Sequence, residues 1–296
     1  MAGTADVNKQ RGFSNPLRMA DVRRQFDRAA GDFANSDFVH RHCFAGLLER
    51  LKPMQLETKR ILDLGCATGR GSRELAKRFR RAQVSSLDLS GAMLRTARAK
   101  HSRFARIFEV QANAEALPFV TGAFDLVIAN LLLPWLGDPQ PTFAGIARVL
   151  RKGGLFSFAT LGPDSLAELR AAWRRQDAFA HVNPFIDMHD IGDALVRAGL
   201  RDPVLDVDRL SITYPNAASL FRDLTASGAR NALRDRGGTL TGKRRFAEVR
   251  ADLEGNAGEP LTVELELVFG HAWGGGPPGN PGEYVLPASA IGRIRR

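Results

Sequence analysis

Apolar residues follow two alternating rhythms along this chain. Short runs rich in apolar residues occupy 61–64, 105–112, 124–129 and 155–161, and Ser85 to Leu89, with Leu87 and Leu89, is a further segment of strand length. They have the length and bounding turns of buried strands. Around and between them, at 22–30, 38–51, 72–79 and 141–150, apolar residues return every three or four positions, as Phe44, Leu47, Leu48 and Leu51 do. That is the spacing of an amphipathic helix. Strand followed by helix, repeated, predicts an α/β fold with a doubly wound parallel sheet. Beyond residue 161 the rhythm changes. A helix is expected over 162–173, with Asp164 or Ser165 as its N-cap. Another runs over 189–199 and closes at Gly199. Residues 204–214 alternate as a strand, 217–227 and 242–253 read as inserted helices, and 261–269 as a last strand. Four regions result: N-terminal helices (1–52), a ligand-binding core (53–161), cap insertions with the end of the sheet (162–273), and a Gly/Pro linker with a basic tail (274–296).

The turn after the first strand carries the chemistry. It reads Asp63-x-Gly65-x-x-x-Gly69-x-Gly71. Glycines let the chain turn tightly and let a ligand approach bare backbone. One unit later Asp88 ends the second strand, where a dinucleotide-type fold places its ribose-binding acid. The first turn does not suit a pyrophosphate, because Asp63 would repel it at the helix N-terminus. The acid suits a cationic ligand end, an α-ammonium or a sulfonium.

These residues resemble class I methyltransferases that use S-adenosylmethionine. Ile61 to Gly71 is similar to their first motif, and Leu87-Asp-Leu-Ser-Gly-Ala-Met-Leu94 to their second. The fold this implies is Rossmann-like: a doubly wound, mostly parallel seven-stranded sheet with an antiparallel last strand and helical cap insertions. The N-terminal helices of such enzymes cover the cofactor. The implied cofactor is S-adenosylmethionine, held by Asp63, Gly65, Gly69, Asp88, Leu89, Asn113, Ala114 and Asn130. Asn113-Ala-Glu-Ala-Leu-Pro-Phe119 resembles a segment in which an acid accepts from the adenine amino group. Asn113 replaces that acid, and its amide oxygen still accepts. Ala114 would offer its backbone N–H to the ring. Asn130 and Trp135 fall at the C-terminal edge of the sheet, where open α/β folds bind ligands. Core packing is an equal reading for Trp135.

Further segments are similar to the malonyl-acyl-carrier-protein O-methyltransferases of biotin synthesis. They are Phe26-Asp-Arg-Ala-Ala30, Gly162 to Arg170, Asp187-Met-His-Asp-Ile-Gly192 and Gly270-His-Ala-Trp273. The implied reaction moves a methyl group from S-adenosylmethionine to the free carboxylate of malonyl-acyl-carrier protein. The middle region also resembles a family of arginine hydroxylases in respiratory complex I assembly, so a protein-modifying factor is the alternative, with small-molecule or RNA methylation beside it. A carboxylate is ionised near neutral pH and needs no general base. Catalysis then rests on proximity and desolvation, with no catalytic residue to assign. Trp135, Arg170, His181 and Asn183 are the substrate candidates. A surface ion pair is an equal reading for Arg170, and a structural role outweighs a functional one for His181. Asn130-Leu-Leu-Leu-Pro134 departs from the Asn/Asp-Pro-Pro-aromatic turn of nucleic-acid amino methyltransferases, which argues against nucleic acid.

Charge adds a partner. The 296 residues carry 42 basic and 32 acidic side chains, a formal charge of +10. Such a balance suits nucleic acid, a membrane surface or an acidic protein. Combined with the resemblance, it points to docking of an acidic acyl carrier protein, with Arg170 to Arg175 and Lys243-Arg-Arg245 expected at the substrate entrance. No apolar run approaches the roughly 18 residues of a membrane span. Cys43 and Cys66 are too few for a disulfide framework, and a cytoplasmic location is expected. His40, His42 and Cys43 form no metal site, since helix neighbours two apart face different ways.

Overall fold

β1 (Arg60–Leu64) and β4 (Phe124–Asn130) show why the central strands are mostly apolar. Successive side chains on a strand point to opposite faces. Ile61 of β1 and Leu126 and Ile128 of β4 enter one core cluster, while Leu62, Leu64, Val127 and Ala129 enter the other. A strand covered on both sides cannot alternate with polar residues. With β2 (Gln83–Asp88), β3 (Ile107–Gln111), β5 (Leu150–Leu161), β6 (Leu200–Tyr214) and β7 (Leu261–Gly274) they build one seven-stranded sheet, order β3-β2-β1-β4-β5-β7-β6. β7 runs antiparallel to both neighbours, and the other pairings are parallel. The computed structural model describes residues 17–54, 56–102, 104–234, 236, 241–254 and 260–275. The expected linker and tail lie outside those residues from 276 onward, as does the segment 1–16.

Helices cover both faces. α2 (Phe38–Arg50) brings Phe44 and Leu47 to the first cluster, and α3 (Arg70–Arg78) brings Leu75. α5 (Pro139–Val149) and α7 (Met188–Arg197) bring Phe143, Ile146, Ile191 and Leu195 to the second. α1 (Met19–Ala29) lies over α4 (Gly91–Ala99), where Ala29, Ala30, Phe33 and Met93 share a small core. α6 (Ala167–Arg174), α8 (Ala217–Ala226) and α9 (Lys243–Glu254) form a cap whose Leu169, Trp173, Leu220 and Val249 pack with Val263 and Leu265 of β7. The strand order reverses between β1 and β4, which opens a crevice at their C-terminal ends.

Two sequence expectations change. Neither Asp164 nor Ser165 caps α6; the residue before the helix is Leu166, in the left-handed region at φ 57° with no side-chain cap. Both candidate caps are engaged by β7 and β6 instead. Ser165 Oγ donates to the Glu266 carbonyl (3.1 Å) and accepts from the Glu266 N–H (3.0 Å). The Asp164 carboxylate accepts from Arg209 at 2.9 Å. The sixth strand begins at Leu200 rather than 204, because a bulge between Arg201 and Val204, with Asp202 at φ 51°, lets pairing continue past Pro203.

Candidate active site

A cavity of about 70 Å³ sits in the crevice between β1 and β4. Gly65, Asp88, Leu89, Asn113, Ala114 and Asn130 line it from the sheet side. Met19, Val22 and Phe26 of α1 close it from above. Gly65 has φ 77° and donates its N–H to the Leu87 carbonyl at 2.8 Å. A Cβ there would stand 3.1 Å from Leu132 Cδ1, so the bare backbone keeps the crevice open. The Asp88 carboxylate accepts from the backbone N–H of Ala67 and of Ser90, both at 2.8 Å. It thereby pins Ala67, which is left-handed at φ 46°.

Asp63 and Gly69, also expected at the ligand, do not line this cavity. Asp63 is buried behind it, where Ser72 Oγ donates to its carboxylate at 2.5 Å and Ser86 Oγ donates to Ser72 Oγ at 2.7 Å. Gly69 is the left-handed residue preceding α3, and a Cβ there would meet Ala97 at 2.8 Å. Its role is close approach of α3 to α4. Burial lifts both the Asp63 and Asp88 carboxyls to about 6. The charge of Asp88 adds to the rise at Asp63, and that of Asp27 to the rise at Asp88.

Asn113 and Asn130 differ in how much of each amide is used. Asn113 Oδ1 accepts from the Glu115 N–H (3.1 Å), and its Nδ2 donates to the Glu115 carboxylate (3.4 Å), which folds the loop locally. Asn130 Nδ2 donates to the His40 carbonyl at 2.9 Å, but its Oδ1 is buried with no partner among the described residues. A buried, unpaired amide oxygen is costly unless a ligand donor meets it.

A second cavity, of about 810 Å³, opens under the cap. His40, Leu131 and Trp135 line both cavities and form the neck between them. Trp135 stands edge-on to Phe26 with ring centres 5.0 Å apart. The far walls are apolar, with Leu161, Leu169, Phe221, Phe246, Val263 and Leu265. Several of the polar groups are bonded to one another. His181 stacks on Trp173 at 3.8 Å, and its Nε2 lies 2.9 Å from Asp177 Oδ1. Asn183 lines the cavity and donates to the Pro134 carbonyl at 3.0 Å. Ser36 Oγ donates to Asp223 at 3.1 Å.

Arg170 is absent from both linings. Its guanidinium donates to the carbonyls of Pro163 and Ser165, each at 3.1 Å, and lies over the Phe185 ring. Lys243 and Arg244 are exposed, whereas Arg245 reaches the cavity and donates to Asp177 at 3.1 Å. The residue that sequence reasoning passed over is His40. His42 points to solvent and Cys43 into the core, but His40 faces the neck. Burial lowers its pKa to about 4, so the imidazole is neutral at pH 7. Nothing in the local spacing of these residues shows which one faces a ligand.

The arrangement is a small polar crevice joined by a narrow neck to a large, mostly apolar chamber. It suits transfer between two bound molecules, driven by alignment and exclusion of water.

The comparisons with known proteins agree with this geometry. The methyltransferase domain family matches residues 62–158, which span β1 to β5. The fold resembles that of the YcgJ protein of Bacillus subtilis, with a TM-score of 0.58 at 16% identity, over 79% of this chain and 98% of that one. The malonyl-acyl-carrier-protein O-methyltransferase of Halorhodospira halophila is 39% identical over 282 residues, 93% of this chain and 96% of its own. That of Methylovorus sp. (strain MP688) is 42% identical over 261 residues, 86% of this chain and 88% of its own. Identity at this level, running through the cap as well as the core, means that the chain belongs to the malonyl-acyl-carrier-protein O-methyltransferase family.

Proposed function

We infer that the protein methylates the free carboxylate of a malonyl group carried on acyl carrier protein, an early step of biotin synthesis. Membership of the family supports this reading. The single structural observation that carries it is the neck. It joins a crevice edged by Asp88 and Asn130 to a chamber with room for an acyl arm, and no acid–base pair among the described residues that line both cavities stands at the junction. A carboxylate acceptor requires none.

The residues fit S-adenosylmethionine. The Asp88 carboxylate would take the ribose hydroxyls, and the unpaired Asn130 Oδ1 would take a donor from the ligand. Asp63, behind the crevice, supplies negative charge toward the cationic end. Leu89, Asn113 and Ala114 frame the adenine side. When bound, S-adenosylmethionine supplies a methyl group on a positively charged sulfur, which passes to a carboxylate oxygen to leave a methyl ester and S-adenosylhomocysteine. The chain's own part is positional. Trp135 and Leu131 keep the neck apolar, which strips water from the acceptor. His40 stays neutral there, so it forms no ion pair that would hold the carboxylate back. Asn183 and His181 shape the chamber wall nearest Trp135 and Trp173.

The test offers methyl-tritiated S-adenosylmethionine with malonyl-acyl-carrier protein, with bulk RNA and with the unacylated carrier. Base-labile label, released as methanol, is expected on the malonyl carrier alone. Label on RNA, or none on the malonyl form, would sink the reading. Growth rescue of a biotin auxotroph lacking this step is the matching result in cells.

Docking of an acidic carrier should use the exposed charges of α9. Reversing Lys243 and Arg244 to Glu is expected to raise KM for malonyl-acyl-carrier protein by about tenfold at low salt, an effect that salt erodes. The malonyl thioester of a small thiol should be unaffected. Equal losses on both substrates would assign the pair to folding rather than docking.

A further inference from the structure

The lining of the large cavity is electrostatically unbalanced. Among the described residues it holds five arginines (Arg24, Arg28, Arg230, Arg236, Arg245) and three aspartates (Asp21, Asp177, Asp223). Arg24 and Arg236 share Asp21, at 3.2 and 2.7 Å. Arg245 is paired with Asp177 at 3.1 Å. Asp223 is occupied by the Ser36 hydroxyl. Arg28 and Arg230 have no carboxylate within ion-pair distance among the described residues, and they account for the surplus of two. Both line the cavity and both are exposed to solvent.

The two arginines come from segments held against each other. Asp21, Arg24, Gln25 and Arg28 recur at helical spacing, which puts them on one face of α1, and all four line the cavity. Gln25 Nε2 donates to the Asn231 carbonyl at 3.0 Å. Gly228, left-handed at φ 74°, packs so closely on α1 that a Cβ there would lie 2.9 Å from the Phe26 ring and 3.4 Å from Ala29 Cβ. The residues flanking Arg28 thus touch the loop that carries Arg230.

We propose that Arg28 and Arg230 form a phosphate-binding rim, which takes the phosphodiester of the carrier protein's phosphopantetheine arm while the malonyl end lies at the neck. The proposal rests on the function inferred above. Arginine presents a planar fork of donors suited to phosphate oxygens. Apolar side chains elsewhere in the lining suit the uncharged part of the arm, and the two arginines complement its phosphate. This rim is distinct from the exposed Lys243 and Arg244, which would meet the carrier's own surface.

The test uses the double variant Arg28→Ala/Arg230→Ala in the full chain, with three substrates: malonyl-acyl-carrier protein, malonyl-phosphopantetheine and malonyl-pantetheine. KM for the two phosphate-bearing substrates is expected to rise about tenfold or more, the scale of charge-assisted hydrogen bonds. Malonyl-pantetheine should stay within about twofold of the parent. An equal change on all three substrates, or none on malonyl-phosphopantetheine, overturns the proposal. So does a loss confined to the carrier protein, which would make the arginines a protein-docking surface. Calorimetric titration of phosphopantetheine against pantetheine reads the same rim without turnover. If the parent methylates none of the thioesters yet binds phosphopantetheine through these arginines, the rim stands and the inferred reaction falls. If it methylates all three with equal KM, the reaction stands and the rim falls.

Discussion

Replacing Asp88 by Ala is expected to weaken S-adenosylmethionine binding by about 10- to 150-fold, the equivalent of the 1.5–3 kcal/mol typical of a hydrogen bond to a charged group. The carboxylate edges the small cavity and already accepts two backbone N–H groups, from Ala67 and Ser90. Its loss would remove the acceptor proposed for the ribose hydroxyls and free the left-handed turn at Ala67 that borders the same crevice. Calorimetry on the folded variant measures the first effect, and its thermal midpoint reports the second. A folded variant with affinity within about threefold of the parent would remove Asp88 from the ligand. Asp88→Asn should recover part of the loss, since its amide oxygen still accepts one bond.

Cofactor affinity is expected to fall by about 100-fold between pH 7 and pH 5, about tenfold for each of two carboxyls with pKa near 6. Asp63 and Asp88 are both raised to about 6 by burial. A ligand with a cationic end and ribose hydroxyl donors favours the ionised forms. Below pH 6 each carboxyl must first lose its proton, so binding weakens as pH falls and levels off above pH 7. Titrations in buffers of different ionisation heat should show proton release near pH 6. In Asp88→Ala the pH slope should halve. A flat profile would mean that neither acid senses the ligand. Stability of the ligand-free protein responds with the opposite sign. The two folded pKa values lie above the ordinary carboxyl value of 3.8, so the folded state takes up protons between about 6 and 4 and these two groups favour it as pH falls through that window. His40 opposes them, because a folded pKa of about 4 against 6.5 costs stability as pH falls through that range.

What could be read without coordinates was whatever backbone geometry or strand phase imposes. Gly65 must be glycine at φ 77°, and Asp88 and Asn130 fall at strand ends whose positions follow from the apolar runs beside them. Long-range competition was not legible. Asp164 and Ser165 have the right types and spacing for a cap, but Glu266, about a hundred residues later, binds Ser165 and the Asp164 N–H. Helix phase was equally hidden. His40, His42 and Cys43 are equivalent by position, and only packing of α2 against the sheet turns the first to the neck and the last to the core. Charge misled by clustering. Arg28 and Arg230 have no basic residue next to them in sequence, whereas the conspicuous run Lys243 to Arg245 sends one side chain into the cavity.

α1 is fastened on two sides. Asp27 accepts from Ser90 Oγ at 2.6 Å at the start of α4, and Leu17 bridges to Leu233 while Arg18 N–H donates to the Ala232 carbonyl at 3.1 Å beyond α8. The same helix roofs the small cavity and walls the large one. Its consequence is an order of events. If the nucleoside fills the small cavity, its exchange would need α1 to lift, and a carrier arm seated along α1 as proposed would hold the helix down. S-adenosylmethionine is therefore expected to bind first, the methyl ester to depart before S-adenosylhomocysteine, and turnover to be paced by the helix reopening. Enzyme preloaded with labelled cofactor and chased with unlabelled cofactor plus saturating malonyl carrier should convert its label rather than lose it; dilution of the label at every carrier concentration would mean that the two chambers fill independently.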